Sequence, residues 1–258
     1  MRMKRSMLAA ALVVAVWIFS AGCEPAPKPY GVEARLRLPS ARRQIWAVAP
    51  AINLSGEKGP DPLLQADLLY QQLQQVQGLT VVPVNRVVEM YAGLKIDGVK
   101  SAEQANLICD LLGCDGLVVP TVTIYDPYDP PKLGASLQLF RKPRDYVRPA
   151  SIDPREIARS SAPTPGQSLP QQPGFAQAVG MFDSANGSVR AAVLQYAEGR
   201  HDPQGPMGPR EYLLSMDRYC GFAYNALTAD LLRSIQRDKS GVMLSRAVIP
   251  NNGSVDER

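Results

Sequence analysis

The sequence predicts an α/β fold: a mixed β-sheet in β-α-β-α-α-β-β order with packed helices, plus a C-terminal helical extension. Two observations carry this reading. Between residues 44 and 141, short apolar runs rich in Val, Ile and Leu alternate with stretches of helical periodicity. From residue 185 to 237, apolar residues recur at three- and four-residue spacing. Composition agrees, since 45% of the 258 residues are apolar and 20% are charged, which places the chain among globular proteins rather than disordered ones.

The run Gln44 to Ile52 reads as a strand buried on both faces, with Pro50 near its end. Asn53, Ser55, Gly56 and Gly59 form a loop. Asp61-Pro62 supplies an N-cap and a first-turn proline, and Ala66, Leu69, Leu73 and Val76 follow at helical spacing until Gly78. Leu79 to Val84 is a second strand, and Asn85 caps a short helix carrying Val88, Tyr91 and Leu94. Ser101 and Gln104 make a capping-box pattern before Ala105, Ile108 and Leu112, with Gly113 as the stop. Leu117 to Tyr125 is a third strand in which Pro120 predicts an edge or a bulge. Asp126 to Pro131 is a turn cluster, and Gly134 to Phe140 returns as a strand.

After Phe140 the texture changes. Residues 142–184 carry seven prolines among Ser and Gln and read as a long loop or disordered insert. Residues 185–237 form the helical extension, with helices expected over Ser188 to Gly199 and Arg210 to Arg237. Leu213, Met216, Cys220, Ala223 and Leu227 give it an apolar stripe that packs on the sheet. Residues 238–258 are a tail.

The N-terminus has a sorting-signal layout. Arg2, Lys4 and Arg5 precede an apolar run from Met7 to Phe19, which at about 13 residues falls short of the roughly 20 needed to span a bilayer. An uncleaved membrane anchor is the alternative. Ser20-Ala21-Gly22-Cys23 resembles the lipobox of bacterial lipoproteins, with Ser20 where that family usually has Leu. The resemblance implies that residues 1–22 are removed, that Cys23 is acylated on its thiol, as with palmitate, and that Glu24 favours the outer membrane over the inner. Removal of three basic side chains leaves 25 basic against 24 acidic ones, so the basic balance of the full chain supports no nucleic-acid partner. Residues 23–43 read as a tether, extended by Pro25, Pro27 and Pro29, with Arg35, Arg37, Arg42 and Arg43 able to rest on anionic head groups.

The stretch Trp46-Ala-Val-Ala-Pro50 with Asn53, Ser55 and Gly56, the acidic entry to a Leu-rich helix, Gly78-Leu-Thr-Val-Val82 and Leu112-Gly-Cys-Asp-Gly-Leu117 resemble the TolB N-terminal domain family of envelope lipoproteins. The CsgG and LpoB types are looser relatives by architecture. The resemblance covers residues 44–141 and implies a non-catalytic module that binds other proteins. The propeller that follows in TolB is absent from this sequence.

Candidate chemistry is sparse. One His in the whole chain excludes metal sites that need two or three imidazoles, and His201 sits in a polar connection between Gly199-Arg200 and Asp202-Pro203. Cys109 and Cys114 lie five positions apart, not at zinc-ligand spacing, and read as buried thiols; pairing with each other or with Cys220 is the alternative. Gly56-Glu57-Lys58-Gly59 lacks phosphate-loop spacing. Asp126 and Asp129 read as turn formers rather than cation ligands. The Asn53, Asn186 and Asn252 sequons read as turns. No cofactor and no metal is expected.

Together these readings predict a lipid-anchored bacterial envelope protein, not an enzyme, that binds another envelope component in an assembly or secretion apparatus, with Cys23 as its anchor. The alternative is a periplasmic hydrolase that acts on cell-wall glycans with carboxylates such as Asp126 and Asp129. A ring-forming secretion pore would need amphipathic membrane strands, and no clean alternating segment of about ten residues is present.

Overall fold

The computed structural model describes residues 36–141 and 174–247. Its elements follow from local chemistry. Strand β1 (Gln44–Val48) ends before Pro50, and a two-residue strand β2 (Ile52–Asn53) resumes beyond it, so the single strand expected over this stretch is split. Asp61 caps helix α1 (Pro62–Gln74) by accepting from the Leu63 and Leu64 N–H groups at 2.7 and 2.9 Å. Strand β3 (Leu79–Val82) leads into α2 (Val84–Leu94), whose N-cap position is Pro83, with no side-chain cap, two residues before the Asn85 expected to cap it. Ser101 caps α3 (Ala102–Leu112) through the Gln104 N–H, while the Gln104 side chain reaches back to the Lys100 N–H at 2.7 Å. Gly113, at φ 65°, ends that helix in the left-handed region that glycine adopts at least cost.

Strands β4 (Gly116–Asp126), β5 (Lys132–Arg141) and β6 (Phe175–Asp183) form an antiparallel run. The sheet order is β3-β1-β4-β5-β6, with β1 parallel to both β3 and β4 and β2 parallel to β4. The predicted mixed α/β class is therefore the observed one. Strand β6 lies inside the stretch read from sequence as an insert. Its Ala176, Ala178 and Gly180 lack the bulky β-formers that mark a strand in sequence.

Pro120 was expected to mark an edge or a bulge, yet β4 is a central strand. The register supplies the reason. β1 pairs with β4 only as far as Val118, and β2 begins at Thr121. The Val118 and Val122 carbonyls accept from the Ala49 and Leu54 N–H groups at 2.9 and 2.8 Å, so alternate residues 118, 120 and 122 aim their backbone polar groups at this side. The donor that Pro120 lacks falls in the gap beside Pro50, between the last β1 pair and the first β2 pair. The bulge sits further on, between Val122 and Ile124.

Two cores flank the sheet. On one face Trp46, Val48, Val118, Leu133, Leu137 and Leu139 pack against α1, α4 (Gly187–Ala197), the short α5 (Glu211–Leu214) and the long α6 (Met216–Ala247). On the other, Ala47, Leu117, Val119 and Phe140 pack against α2 and α3 through Val87, Tyr91, Ala105, Ile108 and Cys109. The C-terminal helices thus belong to the main core, with Cys220, Ala223 and Leu227 fully buried as their spacing predicts, and α6 runs past the predicted end at Arg237. Burial of each large apolar side chain contributes about 1.5–3 kcal/mol.

Candidate protein-docking groove

Helix α1 has two stripes. Gln65, Ala66, Leu69, Gln72 and Leu73 face the core. A second stripe, Leu63, Asp67 and Tyr70, at four- and three-residue steps, looks toward α2. Helix α2 wraps the β3 edge, since Val84 joins the core on the α1 side while Val87 and Tyr91 join the opposite one. Between the two helices lies an open groove of about 440 Å³ lined by Leu63, Tyr70, Val84 and Val88, with Pro83 and Asn85 at one end. Asp67 and Glu89 line its rim. Glu89 already pairs with Arg86 at 3.1 Å on the exposed side of α2, whereas Asp67 makes no ion pair among the described residues. Leu63, which lines the groove, is 46% exposed, so a large apolar side chain there stands in water. An apolar trough with acidic edges is suited to binding a side chain that is apolar in its body and basic nearby.

The other sequence-predicted positions lie apart from this groove. Cys23 and Asn252 fall outside the described residues. Asp126 closes β4, and its Oδ1 accepts from the Tyr128 N–H at 3.2 Å, the turn-forming role expected of it; Asp129 is exposed in the same turn. Asn53 Oδ1 accepts from both the N–H and the hydroxyl of Ser55, and Asn186 caps α4 through Ser188 in the same way, so both sequons shape local backbone. His201 follows α4 and donates from Nδ1 to the Ala197 carbonyl at 3.0 Å. Cys109, Cys114 and Cys220 are buried thiols. Burial pushes the Cys220 thiol up to about 12, against a smaller opposing effect from a hydrogen bond with Gln65. Among the described residues no three His, Cys, Asp or Glu side chains converge as metal ligands would.

No protein-family model and no curated protein matches the chain. Several solved structures are similar to parts of the chain at TM-scores below 0.5. The LpoB C-terminal domain from Salmonella enterica shares 13% identity, covering 40% of this chain and 75% of that one, at a TM-score of 0.34. The lipoprotein GNA1162 from Neisseria meningitidis shares 18%, covering 59% and 95%, at 0.33. A PelC dodecamer from Paraburkholderia phytofirmans shares 10%, covering 76% and 90%, at 0.33.

Sequence reasoning missed the groove itself. The available signal was Leu63, an apolar residue that lies off the stripe defined by Ala66, Leu69 and Leu73.

Proposed function

We propose that this protein is a lipid-anchored module of the bacterial envelope that binds a protein partner in an assembly or secretion apparatus, through the groove between α1 and α2. Cys23 carries the acyl anchor, and the tether of residues 23–43 links it to the folded domain. The observation that carries the docking role is the apolar trough between Leu63 and Val88 with Asp67 and Glu89 on its rim. Its occupant is a partner segment that presents an apolar side chain flanked by Lys or Arg, since a basic group beside Asp67 gains charge complementarity and steers the encounter. The rival hydrolase rests on Asp126 and Asp129.

A photo-activatable residue placed at Leu63 in growing cells tests the reading. It captures one discrete envelope protein, and the capture weakens when Val88 is changed to Glu, because a third carboxylate in the trough opposes both the apolar and the basic part of the ligand. The same probe at Tyr128, exposed on the β4–β5 turn, captures that protein poorly. Equal capture from both positions, or turnover of wall glycans that Asp126→Asn abolishes in a folded protein, would overturn the proposal.

A further inference from the structure

The two edges of the sheet are managed differently. Strand β3 is four residues long, is followed by Pro83, and has α2 wrapped around it. These are devices that keep an edge from pairing with another chain. Strand β6 has none of them. It runs nine residues, Phe175 to Asp183, with no Lys, no Pro and no charge before Asp183. Among the described residues no strand pairs with its outer side.

On the face beside that edge three apolar side chains are exposed around a row whose Thr121 and Ser136 are buried. Register aligns Ile124, Gly134 and Met181 in one row across β4, β5 and β6, and Thr121, Ser136 and Val179 in the next. Ile124 is 41% exposed, Val179 41% and Met181 53%. On the opposite face, Gly180 is held tightly: a Cβ there would lie 3.1 Å from Leu227 of α6 and under 3 Å from the Phe182 ring. The strand is thus fixed from behind by α6, while Val179 and Met181 on its front are exposed and its outer edge has no partner strand among the described residues.

We propose that β6 is the contact between two copies of this chain, paired antiparallel about a two-fold axis perpendicular to the sheet. One observation and two geometric consequences support a second copy as the partner. A strand without charge over Phe175 to Phe182 opposes no like charges when it meets itself, whereas a charged edge would repel its own copy. A two-fold axis in this orientation brings equivalent strands together antiparallel, which continues the antiparallel run of β4, β5 and β6 without a change of pattern. The nine-residue strand has Val179 at its centre, so full-length pairing sets Val179 opposite Val179 of the second copy and joins the two exposed apolar patches into one band. The outward-facing backbone N–H and C=O groups of β6 then find partners at the usual strand spacing of about 4.8 Å.

The test uses the full-length chain in detergent, followed by sedimentation, with Val179→Lys and Val179→Glu made separately. Wild type forms a dimer whose population rises with protein concentration. Each single variant dimerises about tenfold more weakly or worse, because like charges then stand opposite each other. An equimolar mixture of the two variants recovers a mixed dimer, since Lys now faces Glu. Thermal melts confirm that the variants fold, and Met181→Lys, opposite Gln177 of the second copy, replaces any that does not. A wild type that stays monomeric up to about 100 µM, single variants that dimerise as the wild type does, or a mixture that fails to recover pairing would each overturn the inference. None of these outcomes bears on the α1–α2 groove, which lies at the other edge of the sheet.

Discussion

The Tyr224 hydroxyl donates to Gln65 Oε1 at 2.8 Å across 159 positions of sequence, with both side chains buried. One helical face further along, Gln72 Oε1 accepts from the Tyr196 hydroxyl at 2.9 Å and from Asn225 Nδ2 at 3.3 Å. Two glutamines at i and i+7 on α1 thus receive donors from α4 and α6. A buried amide oxygen without a partner would oppose folding, so these contacts fix how the C-terminal helices seat on the sheet. Tyr224→Phe removes the donor and strands Gln65 Oε1. Its unfolding free energy in urea is expected to fall by about 1–3 kcal/mol, with the slope unchanged.

Cys220 lies beside this contact, and its thiol is held in the neutral form by burial. Because the thiolate is the reactive species, a thiol reagent at pH 8 leaves Cys220 unmodified in the folded protein and modifies it once denaturant opens the core. Peptide mapping of the labelled protein checks this. Labelling of Cys220 under native conditions at the rate of an exposed cysteine would show that α6 does not stay docked on α1.

Asp183 ends β6, where its carboxylate accepts from the Ala185 N–H at 2.9 Å and pairs with Lys132 at 3.2 Å. The backbone hydrogen bond first, and the Lys132 ammonium after it, hold its pKa below the ordinary 3.8. A carboxyl group with a lowered folded pKa binds its proton less readily in the folded chain than in the unfolded one. Its stabilising contribution is complete above 3.8 and disappears as the pH falls through the lower folded value. Asp183→Asn is therefore expected to lower the melting temperature at neutral pH and to match the wild type near pH 2.

The parallel half of the fold was legible because its signals are local. Asp61-Pro62, the pair Ser101 and Gln104, and Gly113 each act within one turn of the backbone, and each occupies the predicted position. The misreadings concern residues whose role depends on distant partners. Pro120 is harmless in a central strand only because Pro50 splits the neighbouring one, a relation between positions 70 apart. Strand β6 escaped notice because Leu227 and Phe182 leave no room for a side chain at Gly180, and Ala176 and Ala178 share its face, which dilutes the strand signature. The groove was hidden for the same reason, since Leu63 and Val88 become neighbours only when α2 wraps the β3 edge.

The envelope address stands on Cys23. Growing cells labelled with radioactive palmitate, carrying either the wild type or Cys23→Ala, and then fractionated into membrane and soluble parts, test it most directly. The account predicts label and membrane association in the wild type and neither in the variant. An unlabelled wild type that partitions as the variant does would contradict it.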